Sequence, residues 1–248
     1  EVQLGLLPVL AFFSWAPDSE HFVFSNGKLS LASRSQQTKR YDLDLYIGNL
    51  QSAGLVSTGS TRRSLSKPEI TQLTSDPVAE LSPRWSPDGQ FIAYTHSGKI
   101  RIRKLIVHPS GTIESKAFPV AIWIADEAVA LFPEWAPKSD KLAFSVYQQD
   151  DVDIYIYEVM SDKLTRLTQT PRLREYHPVW SPDSRWLAFY SVQSDTPSSV
   201  GISMAKVDTM FPITASLSME QMSEAKTIDG YALQIAEEVR PTVLLGPS

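Results

Sequence analysis

Leu81-Ser-Pro-Arg-Trp-Ser-Pro-Asp-Gly-Gln-Phe-Ile-Ala-Tyr94 is the stretch that decides the fold of this chain. Its centre, Trp85-Ser-Pro-Asp-Gly89, joins a large aromatic residue to residues typical of a tight turn. Proline presets φ at the first turn position, aspartate hydrogen-bonds the backbone ahead of it, and glycine tolerates the tight exit. Because the turn lies between two short apolar runs, it predicts a β-hairpin.

The same cassette occurs in three further places, at Trp15-Ala-Pro-Asp-Ser19, Trp135-Ala-Pro-Lys-Ser139 and Trp180-Ser-Pro-Asp-Ser184. Each Trp is followed by a large apolar, a small and an aromatic residue: Phe22-Val-Phe24, Ile92-Ala-Tyr94, Leu142-Ala-Phe144 and Leu187-Ala-Phe189. Alternate residues of a strand point to opposite faces, so the large and small side chains lie on different faces. The last two cassette Trp residues, Trp135 and Trp180, are 45 positions apart, which matches the roughly 40–45 residues of a propeller blade.

The repeat predicts an all-β fold, a β-propeller of four-stranded antiparallel blades, with about four blades present. The chain would then be a partial propeller or a fragment of a larger one. The predicted blades are 11–75, 81–124, 131–168 and 176–235, with 236–248 as the start of a further blade. Polar residues at 26–40 and 48–68 predict loop insertions, and Ser218-Met-Glu-Gln221 resembles the capping box of a short helix.

Composition excludes several classes of protein. The formal net charge of −5 argues against a nucleic-acid partner, and the absence of cysteine excludes disulfides, zinc–thiolate sites and a thiol nucleophile. No apolar run reaches the roughly 18 residues needed to span a bilayer. The run from Leu4 to Phe13 lacks the features of a signal peptide, and the start at Glu1 suggests a processed protein or an excised piece.

The combined pattern resembles the TolB-type β-propeller repeat. It runs Pro-x-Trp-Ser-Pro-Asp-Gly, then Ile-Ala-Tyr or Leu-Ala-Phe, then Asp-Ile-Tyr, then Arg-Leu-Thr, over residues 11–207. The resemblance implies blades around a central channel, usually six in that family, and a periplasmic or extracellular location. It covers only the propeller part, and no counterpart of the family's N-terminal α/β domain is visible. Propeller domains of prolyl-oligopeptidase-like proteins are also similar.

Catalytic and metal-binding motifs are not evident, so we expect no cofactor, no metal and no catalytic residue. Gly201-Ile-Ser-Met-Ala205 approaches a nucleophile elbow but lies in a predicted strand. Structural roles are favoured for the aspartate pairs that begin third strands and for the cassette residues. The pairs are Asp42/Asp44 and Asp151/Asp153, and the cassette residues are Trp15, Asp18, Trp85, Asp88, Trp135, Trp180 and Asp183. Each Trp is expected to pack between neighbouring blades.

Binding residues are expected in the loops that lead into each first strand, at 76–81, 126–131 and 170–177. Loops held by a rigid scaffold commonly carry binding, and Tyr and Arg are typical interface anchors. The candidates are Arg172, Arg174, Glu175, Tyr176, His177 and Glu80.

Three hypotheses of function remain open. The first is a non-catalytic scaffold that binds a protein or peptide through channel-mouth loops. The second is the substrate-gating propeller of a prolyl-oligopeptidase-like serine hydrolase, and the third is a sensor domain of a signalling protein. A downstream domain with a Gly-x-Ser-x-Gly elbow would establish the second. Open blade edges also predict self-association.

Overall fold

A computed structural model describes residues 12–31, 39–50, 55–57, 63–65, 69–108, 113–122, 124–125, 127–149, 151–170, 173–193, 200–207 and 215–217. Every regular element within these residues is a β-strand. The predicted all-β fold class is therefore confirmed.

The strands form four successive four-stranded units. Unit 1 contains β1 (Phe13–Trp15), β2 (His21–Leu31), β3 (Lys39–Asn49) and β6 (Glu69–Gln72), with a separate hairpin of β4 (Leu55–Ser57) and β5 (Arg63–Leu65). Unit 2 contains β7 (Glu80–Trp85), β8 (Phe91–His96), β9 (Lys99–Val107) and β10 (Ile113–Ile122). Unit 3 contains β11 (Val129–Trp135), β12 (Lys141–Gln148), β13 (Asp151–Glu158) and β14 (Lys163–Arg166). Unit 4 contains β15 (Leu173–Trp180), β16 (Trp186–Gln193), β17 (Val200–Lys206) and β18 (Ala215–Leu217).

Neighbouring strands within each unit pair antiparallel in chain order. Among the described strands, one parallel pair, Val152 with Arg174, joins the sheets of units 3 and 4. The first strand of each unit is called its inner strand here, because inner strands surround the axis of a propeller. The blade limits proposed from the sequence stay a prediction.

The cassette turn closes through its own side chains. In unit 2 the Gly89 amide donates to the Ser86 carbonyl at 2.9 Å, and the Ser86 hydroxyl donates to Asp88 at 2.6 Å. The Asp88 carboxylate also accepts the Gln90 amide at 3.0 Å. Left-handed backbone follows at the fourth turn position, with φ values of 60, 76, 58 and 62° at Ser19, Gly89, Ser139 and Ser184. Glycine adopts this backbone without strain, which accounts for Gly89.

Three apolar clusters lie between successive units. The small residue of each second strand faces the next unit, and the flanking large residues face the preceding one. The clusters include Val23, Leu45, Trp85, Ile92 and Tyr94 between units 1 and 2, Ala93, Ile102, Trp135, Leu142 and Phe144 between units 2 and 3, and Ala143, Ile154, Trp180, Leu187 and Phe189 between units 3 and 4. Neither face of an internal unit is left to solvent, so stacking of units supplies the core.

The cassette tryptophans lie at these interfaces. Trp85, Trp135 and Trp180 expose 7%, 4% and 8% of their surface. The indole N–H of Trp135 donates to the Arg84 carbonyl at 3.1 Å, and that of Trp180 to the Glu134 carbonyl at 3.0 Å. Each bond joins one unit to the unit before it. Trp15 differs: it is 53% exposed, because no described unit precedes unit 1.

The predicted insertion at 26–40 is wrong over part of its length. Strand β2 continues to Leu31 and β3 begins at Lys39, so much of this segment forms a long hairpin. Backbone pairing does not require apolar side chains, and the polar composition concealed it. Within the predicted loop at 48–68 the chain also forms the short β4–β5 hairpin. The predicted helix at 218–221 and the further blade at 236–248 lie outside the described residues.

Candidate functional site

The inner strands of units 2, 3 and 4 each carry a bulge directly before a proline. The strand register shifts between Leu81 and Arg84, between Leu131 and Glu134, and between Tyr176 and Val179. Within these bulges Ser82, Phe132 and His177 adopt left-handed backbone, with φ of 51, 57 and 52°. Positive φ is uncommon for such residues, and bulges re-aim side chains. The repeat therefore aims one side chain per unit out of the regular pleat.

The bulge side chains converge from different units. The ring of Phe132 lies 3.7 Å, centroid to centroid, from the ring of His177 and stacks on it at 30°. On its other side Phe132 meets Phe12, which occupies the corresponding position before Trp15, at 6.2 Å. We call Phe12, Arg84, Phe132, Glu134 and His177 the axial cluster, since units 1 to 4 all contribute to it.

Charged residues complete the axial cluster. The Arg84 guanidinium donates to the Glu134 carboxylate, with 2.9 Å between Nε and Oε2, and it also reaches the Phe13 carbonyl at 3.4 Å. Loss of water around the stacked His177 ring lowers the pKa of this histidine, and the positive charge of Arg84 lowers it further. His177 therefore favours its neutral form, which can both donate and accept hydrogen bonds.

The predicted loop at 170–177 is wrong for most of its residues. Arg174, Glu175, Tyr176 and His177 lie within β15, and Glu80 is the first residue of β7. Arg172 lies outside the described residues. The mixed polar composition of this segment is typical of a loop. On an inner strand the same composition arises because alternate residues face the buried and the solvent-accessible side. Glu175 is buried, Tyr176 is half-buried and His177 is exposed.

Tyr176 has a defined position beside His177. Its ring lies 5.6 Å from the ring of Tyr147 in unit 3, at an interplanar angle of 55°. The His177 amide donates to the Ser145 hydroxyl at 3.2 Å, which anchors the bulge to the same unit. Tyr176 and His177 are therefore held by unit 3 while part of each remains accessible.

Two glutamates are buried at equivalent positions, five residues before a cassette Trp. Glu80 exposes 2% of its surface and Glu175 exposes 0%. Burial raises the pKa of each carboxyl to about 7, and neighbouring aspartates, Asp44 and Asp153 respectively, raise it further. Nearby threonine hydroxyls oppose part of this effect. At neutral pH a substantial share of each carboxyl is protonated, in contrast to an ordinary surface glutamate.

Each buried glutamate lies beside a repeated polar network. Around Glu80, the Thr74 hydroxyl donates to the carboxylate and accepts the Leu45 amide at 2.8 Å. The side-chain amide of Gln72 donates to the Asp44 carboxylate at 3.0 Å.

Corresponding groups surround Glu175. The Ile154 amide donates to the Thr168 hydroxyl at 2.9 Å, and Arg166 donates to Asp153 at 2.5 Å. The first network joins β3 and the connector after unit 1 to Glu80 on the inner strand of unit 2. In the second, neither carboxylate oxygen of Glu175 has a hydrogen-bond partner among the described residues. Both glutamates are therefore buried between units and are not presented to a protein partner.

Metal and membrane features can be stated only for the described part of the chain. There, no group of three or more histidine, aspartate or glutamate side chains is arranged to hold a metal ion. The same residues include no helix that is long and apolar enough to cross a bilayer.

Sequence reasoning singled out Tyr176 and His177 but missed Phe12, Arg84, Phe132 and Glu134. A signal for one of these, Phe132, was present. Phe132 and His177 each precede a proline, three residues before a cassette Trp. Residues at equivalent positions of a repeat are expected to have the same backbone conformation. Whether their side chains contact each other depends on how the units assemble.

Four-stranded antiparallel units that stack face to face, with bulged inner strands converging on one axis, define a β-propeller. The chain belongs to the TolB beta propeller domain family, whose model matches residues 67–228. The predicted family resemblance is confirmed.

Two curated relatives are Tol-Pal system proteins TolB. The chain is 34% identical over 88 residues to the protein of Ruthia magnifica subsp. Calyptogena magnifica, covering 36% of this chain and 20% of that protein. It is 30% identical over 102 residues to the protein of Desulfosudis oleivorans, covering 40% of this chain and 21% of that protein. The aligned region thus spans about a fifth of the length of these relatives.

Among solved structures, the chain is similar to a puromycin-hydrolyzing peptidase of Mycobacterium tuberculosis. The TM-score is 0.52 at 14% identity, and the match covers 86% of this chain and 32% of that chain. At this identity the likeness concerns the fold alone.

Proposed function

We propose that this propeller is a non-catalytic scaffold that binds a protein or peptide at the start of its unit 4 inner strand, on the surface formed by Arg174, Tyr176 and His177. The observation that carries the proposal is the exposed His177, held over Phe132 with 3.7 Å between ring centroids. An aromatic ring with a polar edge, fixed by packing beneath it, suits recognition because little conformational freedom is lost on binding.

The chemistry of the surrounding surface supports a protein or peptide partner. Tyr and Arg are enriched at the energetic centres of protein interfaces, where they combine apolar area with hydrogen bonding. Arg174 and Tyr176 are half-buried, so each has supporting contacts and an accessible part. The net charge of −5 disfavours a nucleic acid as the alternative polymer.

The names of the curated relatives agree with this role. Both are called Tol-Pal system proteins, which places them in a system of several components. By the same resemblance we propose a periplasmic or extracellular location for this chain.

The test is quantitative capture of partners from an extract of the source organism, on immobilised chain. A Tyr176→Ala/His177→Ala variant should lose most of a specific partner. The matched control is Gln90→Ala/Lys138→Ala, which changes two exposed residues at the turns that follow inner strands β7 and β11. Equal retention of every partner by all three proteins would contradict the proposal, provided that their far-UV circular dichroism agrees.

The end faces of the array are a second proposed contact. Phe13 and Trp15 are exposed on unit 1, and Val179 and Met204 are exposed on unit 4. Corresponding faces of internal units are covered by a neighbour, so apolar exposure here favours association. Sedimentation of the chain at rising concentration tests self-association, which predicts an increase in mean mass; a constant monomer mass would contradict it.

The substrate-gating alternative stays a prediction. Its deciding observation is an α/β-hydrolase domain with a Gly-x-Ser-x-Gly elbow in the same full-length protein.

A further inference from the structure

A cavity of about 350 Å³ lies at the junction of units 1 and 2, beside Glu80. It is bordered by the connector that includes Thr74 and Asp76, by strands β8 and β9, and by Phe118 of β10. None of its lining residues belongs to the axial cluster. The volume falls within the range of roughly 300–1,000 Å³ that is usual for small-ligand pockets.

Charged side chains of both signs line this cavity. The acids are Asp76 and Glu80, and the bases are His96, Arg101 and Arg103. Arg103 is oriented by Ser115, with 3.0 Å from Nε to the hydroxyl and 3.4 Å from Nη2 to the carbonyl. Within the described residues, neither arginine has a carboxylate at ion-pair distance. Arg101 is therefore open to an anion, and Arg103 can offer an anion the N–H groups that it does not give to Ser115 and Tyr94.

His96 adds an unsatisfied polar atom to the same wall. Its Nδ1 is buried and has no hydrogen-bond partner among the described residues. The distance from Nδ1 to Oε1 of Glu80 is 3.8 Å, and from Nε2 to Oδ2 of Asp76 it is 3.9 Å. Both exceed hydrogen-bond length, and a buried polar atom without a partner is destabilising unless a bound molecule supplies one.

The junction of units 3 and 4 provides an internal comparison. It keeps the buried glutamate and the threonine, as Glu175 and Thr168. In unit 2, Arg101 pairs with Tyr94 across neighbouring strands. The equivalent pair in unit 4 is Ser203 with Phe189, so Ser203 stands at the position of Arg101. Arg103 pairs with Ile92 in unit 2. The equivalent pair in unit 4 is Ala205 with Leu187, so Ala205 stands at the position of Arg103.

The equivalent of His96 is Ser191, whose hydroxyl pairs with Ser203 at 2.8 Å. One junction therefore folds with two serines and an alanine where the other holds a histidine and two arginines. Because the fold can form this junction without those charges, His96, Arg101 and Arg103 are not explained by structural need.

We propose that the cavity binds a small zwitterion of the size of a dipeptide. Its carboxylate lies against Arg101 and Arg103, and its ammonium group lies against Asp76 and Glu80. Guanidinium groups bind carboxylates with two parallel hydrogen bonds, and carboxylates accept from ammonium groups. The rings of Tyr94 and Phe118 contact the apolar part of the ligand. This site is independent of the surface proposed for a protein partner.

The test is isothermal titration of the full chain with a panel of Ala-Xaa dipeptides, each compared with its N-acetylated and its C-amidated form. At least one dipeptide should bind saturably, and blocking either terminus should weaken it at least tenfold. Arg101→Gln, a change at an exposed residue, should also weaken it at least tenfold. Failure of every dipeptide to bind, or equal binding of the blocked forms, would overturn the proposal.

Matched variants separate the site from general stability. Glu80→Gln should weaken binding, whereas Glu175→Gln, at the equivalent position of the other junction, should leave it unchanged. Equal loss in the two variants would show that the effect is structural and would also overturn the proposal. Thermal unfolding of each variant establishes that the protein tested is folded.

Discussion

Replacing Trp180 with alanine tests whether the cassette tryptophan holds neighbouring units together. Trp180 is 8% exposed, packs among Ile154, Leu187 and Phe189, and donates its indole N–H to the Glu134 carbonyl at 3.0 Å. A buried aromatic side chain removes roughly 150–250 Å² from water, which at about 25 cal/mol per Å² corresponds to about 4–6 kcal/mol as an upper bound. Since alanine retains part of this, the expected loss is about 3–5 kcal/mol.

The assay is urea unfolding followed by far-UV circular dichroism, which does not depend on the fluorophore that is removed. Trp15→Ala is the matched control, because Trp15 occupies the same cassette position and is 53% exposed. Its loss should stay below about 1 kcal/mol, as is usual for exposed sites. A loss below about 1 kcal/mol for Trp180→Ala, or equal losses in the two variants, would refute the assigned role.

Three further predictions use other parts of the chain. A methyl group on Gly48 would overlap the ring of Phe22, so Gly48→Ala should cost about 1–3 kcal/mol in urea unfolding. In a Phe22→Ala background most of that cost should vanish, and an unchanged cost would contradict the contact. Asp88→Ala removes a carboxylate that accepts a hydrogen bond from a backbone amide of the turn, and it should lower the free energy of unfolding by about 1 kcal/mol. An unchanged urea midpoint would contradict the structural role of Asp88 in the turn. Burial raises the pKa of Glu80 and Glu175 from 4.5 to about 7, so the folded chain binds more protons than the unfolded chain between these pH values. The stability that these protons contribute is complete below pH 4.5 and is lost as pH rises through 7. The urea midpoint of a Glu80→Gln/Glu175→Gln variant should lack this decline with pH, and parallel pH profiles of the two proteins would contradict the prediction.

The repeat predicted much of the fold because its information is local. The cassette combines turn residues with a fixed spacing to the second strand, and both properties are visible in sequence. In unit 2 the predicted turn lies between β7 and β8, where the cassette indicates a hairpin. The long β2–β3 hairpin was missed because backbone pairing can extend through polar residues without leaving a pattern of apolar positions.

The candidate site was less predictable because it depends on assembly. Tyr176 and His177 stood out by their chemistry, but nothing in their neighbourhood indicates that Phe132 lies beneath His177, 45 residues away in sequence. That contact requires two bulges and the stacking of two units. The burial of Glu175 was missed for the same reason, since the residues that cover it come from another unit. Charge and residue type could identify a polar stretch but not which of its members face inward.

The proposed partner meets the propeller where the inner strands begin, and a photo-crosslinking residue can test this placement directly. The crosslinker replaces Tyr176 in one protein and Asp88 in another, because residue 176 lies before the bulge of its inner strand and residue 88 lies in the turn after the end of one. We expect a specific partner to crosslink from position 176 and not from position 88. Crosslinking from position 88 alone, or equally from both, would contradict the proposed binding surface.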